Sequence, residues 1–400
     1  MTYVLPSAPE WKYPVTANKE TIELSLSLIT PMFGGGYEAR EVDEENPIRS
    51  AAIRGHLRFW WRATAGGAFA TSEELFKAEE ELWGSDKKYG QIVIQTEIIS
   101  SGNSKKYSEI APKADSYNGP REGVFLFPFQ EQKKYNIKEA EGNVNIKFTI
   151  TVRYPKARKI EIENALKAWL VFGGVGARTR RGCGALKVEK NSSNWLPPSD
   201  PDKRRLWVNS LIQPVQSDTA SHSLLIGGQV VFGRNSKDAM EAWRILGKYW
   251  AKFRKGNIGS IPYKPVGDGK WSDYKNLIAF EHDEIDPIPL SKPFLGLPII
   301  YQKFTHTKFD GELKPVTTGR MSSPIIIKPV ALANGDIIPM VAKLNAPKPI
   351  KILIKNQEAT LSIPSDDLVL RELKVKTPLQ AVIRSAELEL HNKSFKMEAL

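Results

Sequence analysis

The segment Phe172–Gly184 constrains the fold most strongly, because five glycines and three arginines fall within thirteen residues. Glycine permits positive φ and close backbone approach, which predicts a loop here rather than the interior of a helix or strand. An amphipathic helix is predicted before the loop, over residues 159–172, and a short strand after it, over residues 185–189. Guanidinium groups are planar, permanently charged donors that suit phosphate oxygens. The segment is therefore predicted to bind a polyanion through both backbone and side chains.

The order of elements around this loop excludes the common nucleotide-binding loops. A P-loop needs a Lys-Ser/Thr pair after its last glycine, and a dinucleotide fingerprint must follow a strand and open a helix. Here the loop follows a helix, so no helix N-terminus faces the bound phosphates. The net charge of +12 predicts acidic partners, with nucleic acid favoured and an anionic membrane surface second.

The helix predicted over residues 47–64 carries a second set of arginines. Its buried stripe is predicted to consist of Ile53, Leu57, Trp60 and Thr64. Arg54, Arg58 and Arg62 recur at every fourth position and share one neighbouring edge, where like charges repel unless something neutralises them. No Asp or Glu lies within the helix, which predicts that this edge faces the phosphates of a ligand. The open alternative is pairing with acidic residues elsewhere, for example in the loop over residues 38–45.

Periodicity along the rest of the chain predicts an α+β protein. An alternating strand over residues 20–33 ends in the turn Gly34–Gly36. Further strands are predicted over residues 91–99, 123–129, 143–154, 223–232 and 350–354, helices over 73–83 and 236–253, and a hairpin over 320–329 and 336–344. The order predicts two tandem ferredoxin-like (RRM-like, βαββαβ) domains with insertions, over residues 1–200 and 201–400, joined at the Pro/Ser/Asn-rich stretch 191–201.

The strand predicted over residues 123–129 places Phe125, Phe127 and Phe129 on one face. An aromatic strand face is typical of a core, although such faces also stack bases in RNA-binding domains. Core packing is the favoured interpretation here.

Composition argues against most other kinds of chemistry. The single cysteine, Cys183, excludes a disulfide framework and a thiolate metal cluster, and it fits a reducing cytoplasm. Residues 1–14 lack the apolar run of a signal peptide, and no stretch has the apolar length of a membrane span, which predicts a cytoplasmic protein without membrane contact. The five histidines are scattered, so no metal, cofactor or catalytic residue is predicted. His56, beside the arginines, remains open as an acid or base for RNA cleavage without a metal.

Three of these features together resemble a known family. They are the strand that ends in a glycine turn, the helix segment Ile53-Arg-Gly-His-Leu-Arg-Phe-Trp-Trp-Arg62, and the loop Gly173-Gly-Val-Gly-Ala-Arg-Thr-Arg-Arg-Gly182. The chain is similar to the RAMP superfamily of CRISPR-associated proteins and, through its Trp-Trp-Arg helix and Arg320-Met-Ser-Ser-Pro324, to first subunits of the type III-B Cmr effector complex. The resemblance covers nearly the whole chain. It implies two ferredoxin-like modules, binding to CRISPR RNA and target RNA, assembly with other Cmr complex subunits, and no nuclease role.

The resulting hypothesis is a non-catalytic RNA-binding subunit that holds CRISPR RNA, target RNA or both for antiviral RNA silencing. The predicted RNA-binding residues are Gly34, Gly35, Arg54, Arg58, Arg62, Gly174, Gly176, Arg178, Thr179, Arg180, Arg181 and Arg320. Two alternatives stay open at this stage. One is a metal-independent endoribonuclease that processes CRISPR transcripts through His56, and the other is a scaffold that contacts only protein partners.

Overall fold

The computed structural model of the 400-residue chain describes residues 18–38, 40–111, 123–215, 221–258, 270–283, 285–301 and 309–400. The prediction made for residues 1–14 lies outside these ranges. Within the described ranges, no helix is long and apolar enough to cross a lipid bilayer.

The first half builds a four-stranded antiparallel sheet with two long helices. Its elements are β1 (Lys19–Leu28), β2 (Met32–Phe33), α1 (Ser50–Ala65), α2 (Ser72–Trp83), β3 (Val93–Ser100), β4 (Asn103–Lys106), α3 (Tyr107–Ile110), α4 (Gly123–Leu126), β5 (Glu141–Val144), β6 (Lys147–Pro155), α5 (Lys159–Phe172), β7 (Leu186–Val188), α6 (Ser192–Trp195) and α7 (Pro201–Asn209). The strands lie in the order β3-β6-β1-β7, with α1 after β1 and α5 after β6. Ile22, Leu24 and Leu26 alternate along β1 and are at most 8% exposed, as the pattern predicted.

Helix α1 begins at Ser50 rather than at the predicted Pro47, with Arg49 at its N-cap. The four residues predicted to form its stripe are all buried, and Trp61 is buried beside them. The Trp61 indole N–H donates to a carboxylate oxygen of Glu161 on α5 at 2.9 Å, which satisfies the one polar atom of that ring. The indole therefore links the two helices that cover the first sheet.

The second half builds another antiparallel sheet with the same strand order. Its elements are β8 (Leu224–Phe232), α8 (Ala239–Lys255), α9 (Asp273–Asp283), β9 (Ile288–Pro289), β10 (Ile299–Tyr301), β11 (Gly311–Pro315), β12 (Ile325–Ala331), β13 (Ile337–Asn345), β14 (Lys351–Ile354), β15 (Gln357–Ser362), α10 (Leu368–Glu372), α11 (Pro378–Leu390) and β16 (Phe395–Lys396). The main sheet has the order β12-β13-β8-β16, with α8 after β8 and α11 after β13. The predicted hairpin is confirmed, because β12 and β13 pair across a turn at Asn334-Gly335 in which Gly335 has a φ of 90°.

The second sheet is buried on both faces. One face, which includes Val230, Ile326 and Met340, shares a core with α1 and α5 of the first half. The opposite face, which includes Val231 and Ile327, packs with α8 and α11. Strand β12 is buried at every position, as expected for a strand covered on both sides. The helices of the first half therefore lie between the two main sheets.

Two smaller sheets were not predicted. Short strands from both sides of the β12–β13 hairpin form a five-stranded sheet in the order β10-β11-β14-β15-β9, which packs with α9 around Leu277, Leu313 and Ile352. Strands β2, β5 and β4 form a three-stranded sheet. Strand β14 agrees with the strand predicted over residues 350–354. The other strands of these sheets are two to six residues long, and most are too short for a clear alternating pattern.

The prediction of an aromatic strand over residues 123–129 is wrong. This stretch forms α4 and a 3₁₀ turn, and its three phenylalanines point to different environments. Phe125 is buried and stacks on Trp243, Phe129 stacks on Phe33, and Phe127 is 63% exposed. The proline between the last two phenylalanines cannot donate a hydrogen bond to a sheet, which disfavours a strand here.

Candidate nucleic-acid interface

The glycine-arginine loop, residues 173–184, packs closely against the protein's own backbone. Its glycines with positive φ are Gly174, Gly176, Gly182 and Gly184. A Cβ at Gly184 would lie 1.9 Å from the carbonyl oxygen of Val175, and one at Gly176 would lie 2.6 Å from that of Phe33. These glycines were predicted to let the backbone approach a ligand. The structure shows that their close approaches are made within the protein.

The predicted glycine turn lies against this loop. The backbone N–H of Ala177 donates to the Phe33 carbonyl at 2.7 Å, and that of Gly184 donates to the Pro31 carbonyl at 2.9 Å. An ideal Cβ at Gly34 would lie 3.6 Å from the Cβ of Ala177. The turn and the loop therefore border one surface.

Gly35 serves a different contact. It has a φ of 109°, and its carbonyl accepts a hydrogen bond from the Arg49 guanidinium at 2.5 Å. The same guanidinium forms an ion pair with Asp43 at 2.8 Å. Asp43, in the acidic loop over residues 38–45, thus pairs with the residue at the N-cap position of α1, which lies outside the predicted arginine edge.

The arginines on α1 have a counter-charge on the neighbouring helix α2. The Nε of Arg58 donates to a carboxylate oxygen of Glu79 at 2.8 Å, and Arg62 bonds the same oxygen. The Glu79 side chain is only 7% exposed, whereas those of Arg58 and Arg62 are 30% and 32% exposed. Arg54 instead donates to a backbone carbonyl at the end of α2. For Arg58 and Arg62 the structure thus agrees with the alternative of pairing with acidic residues elsewhere, through α2 rather than through the loop over residues 38–45. Two arginines that share one carboxylate keep a net positive charge.

Arg178 begins a short 3₁₀ turn, Thr179–Arg181, in the left-handed conformation with a φ of 57°. Its Nε donates to the Phe125 carbonyl at 2.5 Å, and its guanidinium lies 5.6 Å from the centre of the exposed Phe127 ring. Arg178 is therefore half-buried against α4. Thr179 is half-buried in the turn that follows it.

Arg181 joins the loop to the second half of the chain. Its guanidinium donates to the Ile325 carbonyl at 2.7 Å and to the Ser323 hydroxyl at 3.0 Å, and it lies 4.9 Å from the centre of the Trp250 ring. Burial, reinforced by neighbouring guanidiniums, lowers the pKa of Arg181 to about 9, so the side chain stays charged at neutral pH. These contacts give Arg181 a structural role that the sequence did not indicate.

Arg180 lies between the two halves with fewer contacts. It donates to the Ser323 carbonyl, and its guanidinium lies 5.2 Å from the centre of the Phe59 ring on α1. Burial lowers the pKa of Arg180. Within the described part of the chain, no carboxylate pairs with it. A half-buried guanidinium without a carboxylate is a favourable position for an incoming anion.

Arg62 and Arg180 meet at a cavity of about 320 Å³ between the two halves. Phe59 lines it from the first half, and His222, Met321, Ser322 and Pro347 line it from the second. This arrangement brings together one arginine from each predicted element and the Arg-Met-Ser-Ser-Pro segment. The other arginines predicted for RNA contact on α1 and in the loop lie outside the cavity lining.

Arg320, at the start of the Arg-Met-Ser-Ser-Pro segment, is exposed next to a residue that lines the cavity. Its side chain has no hydrogen-bond or ion-pair partner among the described residues. Its guanidinium is therefore available to an anion from outside the protein.

Two residues at the junction between the two halves were not predicted to have a role. Lys328 on β12 is fully buried, and its ammonium donates to the carbonyls of Leu170 and Gly173 at 3.0 and 2.7 Å. Burial lowers the pKa of Lys328 to about 7. The available signal was a lysine inside an otherwise apolar strand, which indicates a specific partner for its charge.

His222 was noted only as one of five scattered histidines. Its Nε2 lies 3.3 Å from the Arg62 carbonyl oxygen and its Nδ1 lies 3.0 Å from the Ser221 hydroxyl. Because a carbonyl only accepts, Nε2 carries the proton and Nδ1 accepts from the hydroxyl. Burial lowers the pKa of His222, which favours this neutral form. No local pattern in the sequence marks this position.

His56, the alternative acid or base, is half-buried on α1, and burial lowers its pKa. It does not line the cavity. Across the residues that the structure describes, no three His, Cys, Asp or Glu side chains are grouped to hold a metal ion.

Comparisons with known proteins agree with this architecture. The family model described as the RAMP superfamily matches residues 25–187. A CRISPR system Cmr subunit Cmr1-2 from Pyrococcus furiosus is 31% identical over 178 residues, which are 41% of this chain and 92% of that protein. Cmr1-1 from the same organism is 28% identical over 151 residues, which are 37% of this chain and 43% of that protein.

The fold extends this similarity along the chain. The crystal structure of Cmr1 from Pyrococcus furiosus in its apo form matches with a TM-score of 0.55 at 16% identity, over 95% of this chain and 99% of that one. At this identity the match concerns the fold alone. The 31% identity to Cmr1-2, over nearly all of that protein, shows that the chain belongs to the family of Cmr1 subunits of CRISPR systems.

Proposed function

We propose that this chain is a non-catalytic RNA-binding subunit of a type III-B CRISPR (Cmr) ribonucleoprotein in the cytoplasm. In this role it helps to hold CRISPR RNA, target RNA or both for antiviral RNA silencing, together with other Cmr subunits. The names of its sequence relatives support membership of a Cmr complex. The shared strand order of the two main sheets supports a description as two tandem ferredoxin-like modules.

One observation carries the RNA-binding proposal. Arg62 from α1 and Arg180 from the loop line a single cavity between the two halves, and the exposed Arg320 directly precedes Met321, which also lines it. Phosphate oxygens are natural ligands for such guanidiniums, and a single-stranded nucleic acid fits a cleft better than a flat surface. The chain's net charge of +12 favours the same partner over long range.

The salt dependence of binding tests this proposal. Affinity for single-stranded RNA is measured by fluorescence anisotropy at several salt concentrations for the wild type and for a variant with Arg62→Ala and Arg180→Ala. Each lost phosphate contact reduces the slope of log affinity against log salt by roughly 0.7. A matched variant, Arg205→Ala with Arg371→Ala, removes two exposed arginines that do not line the cavity. An equal loss of slope in both variants would contradict the proposed interface.

The absence of catalysis is part of the proposal and has its own test. Purified protein is incubated with CRISPR repeat RNA in EDTA, and the products are resolved on a denaturing gel. Intact RNA is expected. Discrete fragments that disappear in a His56→Ala variant would instead identify the metal-independent endoribonuclease.

A further inference from the structure

We infer that the cavity between the two halves holds one unpaired nucleotide of the bound RNA, with its base inside and its phosphate at the arginines. The inference rests on the proposed function and specifies the ligand of that same site. It follows from the size of the cavity, its charge and the character of its walls.

The size of the cavity admits one nucleotide. Its volume is about 320 Å³, at the lower end of the roughly 300–1,000 Å³ that small-molecule sites occupy. Residues from both halves line it, so its walls are α1 on one side and the segments that flank the second sheet on the other. A base pair or a duplex is too large for such a space. An unpaired nucleotide that leaves its strand is the RNA unit that fits.

The charge of the cavity matches a phosphate. The guanidinium of Arg180 makes only one hydrogen bond to the described part of the protein. Since a guanidinium has five N–H donors, others remain available to a ligand. Arg62 contributes a guanidinium that shares its carboxylate partner with a second arginine. Two guanidiniums with less than one full counter-charge between them favour an anion at this position.

The uncharged walls match a base. Met321 presents a polarisable thioether, Pro347 a compact apolar ring, and Phe59 an aromatic ring that the Arg180 guanidinium approaches to 5.2 Å from its centre. Single-stranded RNA is recognised by stacking of its bases on aromatic rings and on arginine planes. The hydroxyl of Ser322 adds a group that can donate to or accept from a base edge or the ribose.

His222 completes the wall as a fixed, neutral ring. Both ring nitrogens face hydrogen-bonding partners in the protein, at 3.3 and 3.0 Å. The imidazole therefore has no free nitrogen with which to transfer a proton to RNA. Its position favours a role in holding the cavity open beside Arg62.

Methionine-methyl NMR tests the inference directly. The chain has six methionines, of which Met321 lines the cavity whereas Met340 and Met397 are fully buried in the core. The methyl groups are labelled with ¹³C, the Met321 signal is assigned with a Met321→Leu variant, and AMP, adenosine and inorganic phosphate are titrated separately. AMP is expected to shift the Met321 signal by ring current and to leave the signals of the two core methionines unchanged.

A cavity-filling variant gives an independent measurement. Met321→Trp occupies the base position and keeps both arginines, so RNA binding is expected to weaken by roughly tenfold with an unchanged salt slope. Met240→Trp, on α8 and outside the cavity lining, is the matched control.

The outcomes separate the inference from the proposed function. If RNA binds with the expected salt slope but neither AMP nor RNA shifts the Met321 signal, the nucleotide pocket is wrong and the proposed function stands. If phosphate alone reproduces the shift caused by AMP, the cavity is an anion site without a base pocket. If RNA binding itself is absent, the proposed function fails together with the inference.

Discussion

Replacing Lys328 with methionine tests whether a buried ammonium makes the junction between the two halves sensitive to pH. Lys328 lies on β12 of the second half, and its hydrogen bonds go to the last turn of α5 and to Gly173, the first residue of the glycine-arginine loop. The side chain is fully buried, and no carboxylate of the described chain pairs with it. Its protonation is therefore coupled to folding more strongly than that of a surface lysine.

The magnitude follows from the difference between two pKa values. Burial lowers the pKa of Lys328 in the folded chain to about 7, against an ordinary value of 10.5. Between these values the unfolded chain keeps a proton that the folded chain has released, so the free energy of unfolding rises with pH. The rise is about 1.4 kcal/mol per pH unit, or about 5 kcal/mol over the whole window. Below pH 7 both states are protonated and this contribution no longer changes with pH.

Urea unfolding followed by tryptophan fluorescence measures this effect. Wild type and Lys328→Met are compared at intervals from pH 6 to pH 10.5, with Lys376→Met, an exposed lysine, as the control. The unfolding free energy of the wild type minus that of Lys328→Met is expected to increase by several kcal/mol from pH 7 to pH 10.5. The corresponding difference between the wild type and Lys376→Met is expected to stay constant. A flat difference for Lys328→Met would refute the reasoning. It would mean that the two carbonyls and the helix C-terminus keep the ammonium charged in the folded state.

Four further substitutions test other positions. Glu79→Gln removes the buried counter-charge of two arginines, so we expect a lower melting temperature and an RNA-binding salt slope steeper by roughly 0.7 for each arginine that gains a phosphate, measured by anisotropy. Gly184→Ala is expected to destabilise the fold by at least about 2 kcal/mol, since its Cβ would lie 1.9 Å from a carbonyl oxygen, whereas Gly55→Ala, with open space around it in α1, is expected to stabilise by about 1 kcal/mol in the same thermal melts. Arg181→Met is expected to lower the melting temperature and leave the RNA salt slope unchanged; a reduced slope with unchanged stability would contradict its structural role.

Local elements were predictable because their signals are local. Strand β1 follows from alternation, and α5 follows from helical spacing with the predicted bounds of residues 159–172. The β12–β13 hairpin follows from its Asn-Gly turn. The strand predicted over residues 123–129 was wrong because the local alternation of its phenylalanines did not decide their positions. Phe125 and Phe129 instead pack on Trp243 and Phe33, which lie on distant elements.

The candidate site was predictable in part. The residues of the loop and of α1 were identified from charge and glycine content, and the structure brings Arg62 and Arg180 to one cavity. Tertiary packing decided which arginines keep guanidinium N–H groups available to a ligand. Glu79, 17 and 21 residues away from its two partners, neutralises part of the helix edge, and Ser323, more than 140 residues from the loop, anchors Arg181.

The sequence by itself determined most of the long strands and helices, the excess of positive charge and the family, because periodicity, composition and motifs are properties of short stretches. Only the tertiary structure decided that the loop glycines approach the protein's own backbone and that a lysine of β12 bonds the loop's first residue. It also decided that the arginines meet across a cavity between the two halves. The physical reason is that close approach, burial and charge pairing depend on which surfaces pack together, and those surfaces belong to segments far apart in the chain.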